Sequence, residues 1–309
     1  MKQYLLASLF AGAVALPAMA DYTIIAPANP GGGWDQTART MQTVMQEDGI
    51  SPSVQVQNVP GAGGTIGLAQ FASQNKGNDQ ALIVGGYVMV GAILTNNSPV
   101  SLKDVTPIAR LTGEYEAIVV PAASPIQDMA GLIEALKADP GAVGSAGGTD
   151  HIAVGLIAKA AGVDPTKINY IAYSGGGEAL AAILGNQVTA GVSSVGEFDA
   201  QVKAGTLRLL AVSAPERIEG VEAPTLKESG LDVELQNWRM VAAAPGLSDE
   251  QKAKVSADIE KMVKSENWQK QLADKGWSDT YLSGADFDAQ LAKDEAATSA
   301  VLKDIGLVK

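Results

Sequence analysis

The chain has 309 residues, 46% of them hydrophobic and 18% charged, with a formal net charge of −12, one histidine and no cysteine. That composition is ordinary for a globular chain with a real core. It excludes disulfides, thiolate chemistry and cysteine-based metal sites, and its acidic balance opposes nucleic acid and anionic lipid as partners.

Residues 1–20 read as a secretory signal peptide. Lys2 gives a positive start, Tyr4 to Leu16 is an almost unbroken apolar run, Pro17 breaks it, and Ala18-Met19-Ala20 offers small residues to a signal peptidase. The run is too short to span a bilayer. The mature chain is expected to begin at Asp21, with 21 basic against 34 acidic residues once Lys2 is gone. No later stretch has the roughly eighteen apolar residues of a spanning helix, and no lipobox cysteine is present. The expectation is a periplasmic protein without direct membrane insertion. About 290 residues suffice for two domains of usual size.

From Asp21 to about Leu111 apolar strands alternate with helices. Tyr22 to Ala26 is β-like, Asp35 to Gln46 carries Ala38, Met41, Val44 and Met45 at helical spacing, Ser53 to Asn58 is a second strand, and Ala81 to Val84 is a third. The same order restarts after Pro121, with a helix near Ile126 to Ala138, strands at Val143, at Ile168 to Tyr173, at Thr189 to Val192 and at Leu207 to Val212, and a helix from Asp150 to Ala161. Strand, glycine turn and helix, repeated, predicts two α/β halves with parallel sheet. The last third reads as helical, with a Ser248/Gln251 capping pattern and a final helix over Ala285 to Lys303.

Four glycine-rich loops share one design: Asn29 to Asp35, Pro60 to Thr65, Gly144 to Thr149 and Tyr173 to Glu178 each join a strand end to a helix start. In open α/β sheets ligands bind at the carboxyl ends of strands, where helix N-termini present free N–H groups and partial positive charge. A small anion can be held there by an acidic protein with few cations. Phosphate motifs do not fit. No Gly-Lys dipeptide is present, and Gly61-Ala62-Gly63 followed by Ile66 fails the dinucleotide fingerprint.

Single residues have competing readings. Asp35 is a ligand contact or an N-cap, and Arg39 reaches the site or pairs with Asp35 at i, i+4. Trp34 is a wall over the ligand or core packing. His151, beside Asp150 and near Ser145, raises a serine hydrolase, yet no Gly-x-Ser-x-Gly elbow exists. With one histidine and no cysteine, a transition-metal site is not expected, whereas an acidic, oxygen-only Ca²⁺ site stays open; no cofactor is expected. Glu178 is dipole compensation, or, facing inward, a sign that the ligand carries an amine or a divalent cation.

Pro27-x-x-Pro30-Gly31-Gly32 with Asp35 and Arg39, Asn58-x-Pro60-Gly61-Ala62-Gly63-Gly64, and Tyr173-x-Gly175 with Leu184-Gly185 resemble the Bug/TctC family. Ala211-Val212-Ser213 with Arg217, Pro224-Thr225-Leu226-x-Glu228-x-Gly230, and Trp238 extend the match over nearly the whole mature chain. The resemblance implies a type II, two-lobed periplasmic-binding-protein fold of class α/β, with a mixed sheet in each lobe that closes like a flytrap. Lobe 1 would comprise 21–120 and 238–309, and lobe 2 would comprise 121–237. It implies a non-enzymatic receptor, monomeric, that hands a small carboxylate to the large and small membrane subunits of a tripartite tricarboxylate transporter. A sensory receptor for a two-component system is the alternative within that reading. Gly191 to Phe198 looks like the tricarboxylate branch and favours citrate. By resemblance, lobe 1 holds the ligand through Gly32, Gly33, Trp34 and Asp35, through Ala62, Gly63, Gly64 and Thr65, and with Tyr87. Lobe 2 closes with Ser145, Gly147, Gly148 and Thr149, with Tyr173, Gly175 and Gly176, and with Ser194.

Overall fold

A computed structural model describes residues 22–308 apart from 140, 146–147 and 174–175. The proposed signal peptide and the candidate residues Gly147 and Gly175 lie outside the described residues. In chain order the elements are β1 (Tyr22–Ala26), α1 (Gly33–Glu47), β2 (Val54–Asn58), α2 (Thr65–Gln74), β3 (Ala81–Gly86), α3 (Tyr87–Thr95) and β4 (Thr106–Pro121). They continue with α4 (Met129–Ala138), β5 (Ala142–Ser145), α5 (Gly148–Ala160), β6 (Asn169–Ala172), α6 (Gly176–Leu184), β7 (Ala190–Ser194), α7 (Val195–Lys203) and β8 (Leu207–Val212). The chain ends with β9 (Gln236–Ala243), α8 (Asp249–Val263), α9 (Glu266–Lys275), β10 (Ser278–Ser283) and α10 (Gly284–Asp304).

Two mixed sheets share one strand. In the first, β2, β1 and β3 run parallel, and β9, β4 and β10 add antiparallel partners. In the second, β7, β5 and β6 are parallel, and β4 closes the other side between β7 and β8. The sixteen residues of β4 are therefore a bridge. Thr106 to Tyr115 pair with β9, and Glu116 to Pro121 pair with β7 and β8. The return crossing is the segment entering β9, where Gln236 pairs with Tyr115. This is the two-lobed α/β architecture of periplasmic binding proteins.

Ser213 ties the two crossings together. Its hydroxyl accepts from the Glu116 N–H at 2.8 Å and donates to the Leu235 carbonyl at 2.6 Å. It is fully buried, so both bonds are formed away from water. The family-like residues near it also serve structure: Arg217 donates to both Glu228 oxygens, at 2.9 and 3.0 Å, and Glu228 accepts the Thr225 N–H.

Apolar faces explain the layers. One side of the lobe-1 sheet is covered by α1, α8 and α9 through Met41, Met45, Ile259, Met262 and Trp268. The other side is covered by α2, α3 and α10 through Leu68, Phe71, Met89 and Phe287. Ser248 caps α8, and Gln251 returns the bond to the Ser248 N–H. Among the described residues, no helix is long and apolar enough to cross a membrane.

Candidate ligand-binding site

Where the lobes meet lies a cleft of about 790 Å³, within the range of roughly 300–1,000 Å³ usual for small-molecule sites. Lobe 1 contributes the first two glycine loops. Gly32, Gly33 and Trp34 line it at the start of α1, and Ala62, Gly63 and Gly64 line it at the start of α2. Helix N-termini thus face the cavity with their orphan donors and positive dipole ends. Lobe 2 contributes Asp150 from the first turn of α5 and Ser193, Ser194 and Glu197 from the β7–α7 corner.

The second loop is shaped by left-handed backbone. Gly61, Ala62, Gly63 and Gly64 all have positive φ, at 132°, 48°, 60° and 89°. A Cβ on Gly64 would sit 2.6 Å from the Trp34 ring, so only glycine lets the loop close on that ring. Trp34 is half-buried, forms part of the cleft wall and packs on both sides of the sheet core. The wall and core readings of this side chain are both partly met.

Asp35 is buried, only 2% exposed, and lies in the first turn of α1 rather than at its cap, which is Gly32. Its carboxylate accepts from the Gly31 N–H at 2.8 Å, from Arg39 Nε at 3.0 Å and from Asn58 Nδ2 at 2.8 Å. Burial works to raise its pKa, but the bonds from Arg39, Gly31 and Asn58 outweigh it and hold the carboxyl below the usual carboxylate range. Asp35 therefore braces the two glycine loops and does not line the cleft. Thr65 donates to the Ala62 carbonyl at 2.9 Å and supports the second loop from behind. Tyr87 is buried and packs edge-on against Trp238.

Of the lobe-2 candidates, Ser194 lines the cleft and precedes α7 as its N-cap residue. Gly148 opens α5 against Val88 of α3, where a Cβ would approach to 3.5 Å. Ser145 and Thr149 are fully buried behind Asp150. Tyr173 packs its ring on Gly144, and Gly176 is the first residue of α6. Tyr173 is not among the described residues that line the cleft, and Glu178 is exposed and likewise absent from the lining.

Two basic side chains of the cleft, Arg239 and Lys275, are not among the candidates singled out from the amino-acid sequence. Arg239 sits on β9, 6% exposed, with its Nη2 on the Glu114 carboxylate. Its Nη1 is buried without a hydrogen-bond partner among the described residues. The guanidinium lies against Gly33, where a Cβ would come within 2.5 Å of Nη2. Trp277 fixes the arrangement: its Nε1–H donates to Glu114 Oε1 at 3.1 Å, and its ring lies 5.4 Å from the Arg239 guanidinium carbon. The signal available in sequence was an arginine inside the apolar run Trp238 to Ala244, because a buried cation needs a partner.

Beneath the lobe-2 wall lies an acid pair. Glu116 on β4 is fully buried against the carboxyl group of Asp150. Burial first, then the negative charge of Asp150, pushes its pKa well above the ordinary 4.5. The folded protein therefore holds an extra proton above pH 4.5, and its stability falls as pH rises toward the folded-state value. Glu116→Gln removes that cost. The variant is expected to melt several degrees above the parent near pH 8, at about 2–4 °C per kcal/mol, with the advantage gone near pH 4. Melting curves at the two pH values check it; an equal shift at both would contradict the assignment.

The hydrolase constellation is not assembled around His151. Its ring stacks on Tyr170 with centroids 3.8 Å apart, and desolvation lowers its pKa. The Ser145 hydroxyl donates to Asp150 instead. Among the described residues, no group of three or more acidic or histidine side chains would hold a metal ion.

The model of the tripartite tricarboxylate transporter family receptor matches residues 37–307. The chain belongs to that receptor family. It is 30% identical over 271 residues to the UPF0065 protein in the gbd 5′ region of Cupriavidus necator, covering 84% of this chain and 80% of that protein. A crystal structure of a TctC solute-binding protein from Polaromonas shares 28% identity at a TM-score of 0.74, covering 91% and 97% of the two chains. MatC from Rhodopseudomonas palustris, solved with bound malate, has the same fold at 22% identity and a TM-score of 0.73, covering 92% and 98%. As a TctC/Bug periplasmic solute-binding receptor, the chain places its two most family-like glycine loops on one wall of the cleft, together with Arg239.

Proposed function

We propose that this receptor captures a small di- or tricarboxylate anion between its lobes, citrate or a relative, and delivers it to the two membrane subunits of a tripartite transporter. The observation that carries the ligand class is Arg239. A guanidinium lining the cleft at 6% exposure, with Nη2 on Glu114 and beside Gly33 and with Nη1 unpartnered among the described residues, is a seat for a planar carboxylate. The starts of α1 and α2 add backbone donors, and Lys275 adds a second positive charge at the same cleft. MatC with malate supports a carboxylate in this fold, and the Gly191 to Phe198 stretch favours the tricarboxylate branch.

The remaining site candidates divide by role in this reading. Gly32, Gly33, Trp34, Ala62, Gly63, Gly64 and Ser194 meet the ligand, whereas Asp35, Thr65, Tyr87, Ser145 and Thr149 hold the wall. The exchange of β4 between the sheets at Tyr115 and Glu116, clasped by Ser213, serves as the hinge between the lobes. The protein works as a monomeric exported receptor without catalysis. Calorimetric titration with a panel of carboxylates tests the reading.

A further inference from the structure

The cationic wall of the cleft is built around one indole ring. Trp277 is buried, lines the cleft and donates its Nε1–H to Glu114. Two cations lie against that ring, the Arg239 guanidinium carbon 5.4 Å from its centroid and Lys275 Nζ 5.5 Å from it. Cation–π attraction to a shared ring limits how far apart the two charges stand. They differ in what else they meet. Arg239 has a carboxylate of its own in Glu114, whereas Lys275 forms no ion pair among the described residues. Glu197, which lines the facing lobe-2 wall, accepts from the Ser193 hydroxyl at 2.8 Å instead. Lys275 is half-buried in the last turn of α9, where a lysine ordinarily offsets the helix dipole. That role needs neither a ring contact nor a place in a ligand cleft, and Lys275 has both.

We propose that Lys275 is a specificity-determining residue of the cleft: with one carboxylate of the ligand on Arg239, the Lys275 ammonium holds a second on the same lobe-1 wall. This rests on the carboxylate reading above. The receptor then selects acids with that second carboxylate over counterparts in which a methyl group replaces an acid-bearing arm, and the selection resides in lobe 1. The planar fork of Arg239 orients the first acid group. The lysine, a compact charge on a flexible stem, takes the second.

The test is calorimetric titration of matched ligands that differ by one acid group: malate against 3-hydroxybutyrate, adipate against hexanoate, and citrate against citramalate. The acid-richer member of at least one pair is expected to bind about tenfold or more tightly than its counterpart. Lys275→Gln should bring that ratio to within about threefold, chiefly by weakening the acid-richer member, and Lys275→Arg, which keeps the charge, should retain most of it. Lys270→Gln removes a positive charge from the same helix but outside the described cleft lining, and should leave the ratio in place. A ratio near one or below in every pair for the unmodified protein would overturn this inference while leaving carboxylate capture intact. An undiminished ratio in folded Lys275→Gln would overturn it too, as would a loss just as large in Lys275→Arg or in Lys270→Gln. Binding of none of the six acids would overturn the carboxylate reading itself.

Discussion

Arg239→Gln is expected to weaken carboxylate binding by about 30-fold to several-thousand-fold, the range that follows from removing one partner of a buried, hydrogen-bonded charge pair. Two effects combine in that variant. The ligand loses the one guanidinium that lines the cleft among the described residues, and Glu114 is left near Trp277 without its counter-charge. The second effect also lowers stability, because an unpaired carboxylate remains partly desolvated. The double variant Arg239→Gln/Glu114→Gln removes both charges and should recover most of the melting temperature without recovering affinity. Arg239→Lys keeps a charge but loses the planar fork, so it should melt close to the parent and still bind about tenfold or more weakly. Calorimetry and thermal melts on the three variants separate the roles. If the double variant binds like the parent, Arg239 is a structural residue and does not touch the ligand.

The second large effect is at Gly64. Its φ of 89° costs an L-residue about 1–2 kcal/mol, and an added methyl would lie 2.6 Å from Trp34 Cζ3 and 3.0 Å from Met89 Cε. The Met89 methyl is the end of a flexible side chain, so the clash falls on the rigid Trp34 ring, which must shift from its place in the cleft wall. Gly64→Ala is expected to melt lower by about 5–10 °C, on a total cost of about 2–4 kcal/mol, and to lose at least about tenfold in affinity. Gly31→Ala supplies the comparison. Gly31 has a similar φ of 84° but nothing within 4 Å of an added Cβ, so it carries the backbone cost alone. A Gly64→Ala protein no less stable than Gly31→Ala would show that the loop does not close on Trp34.

Much of this was legible in local sequence. The glycine loops marked the strand-to-helix junctions, since glycine is what permits a left-handed turn such as Gly61 to Gly64. The Ser248/Gln251 capping box and the Asp35–Arg39 spacing gave bonds the fold contains, because both depend on neighbours within one helical turn. Residues 106–121 did not read as one strand. Glu114 and Glu116 interrupt its apolar pattern, and their partners lie far along the chain. Glu114 meets Arg239 and Trp277, and Glu116 meets Asp150 and Ser213. Short-range periodicity carries no information about such pairings. The same holds for Lys275 and Trp277, which reach the cleft because β10 pairs with β4. The expectation that few cations are needed was thus incomplete. An acidic receptor of this kind uses helix ends and also one arginine, held in place by a dedicated carboxylate partner.

Capture without turnover is checked by calorimetric titration of the purified protein with citrate, isocitrate, tricarballylate, succinate, malate, glutamate and an aromatic acid. Saturable one-to-one binding of at least one di- or tricarboxylate is expected, with the ligand recovered chemically unchanged. No detectable binding of any member of the panel, or recovery of a converted product, would contradict it.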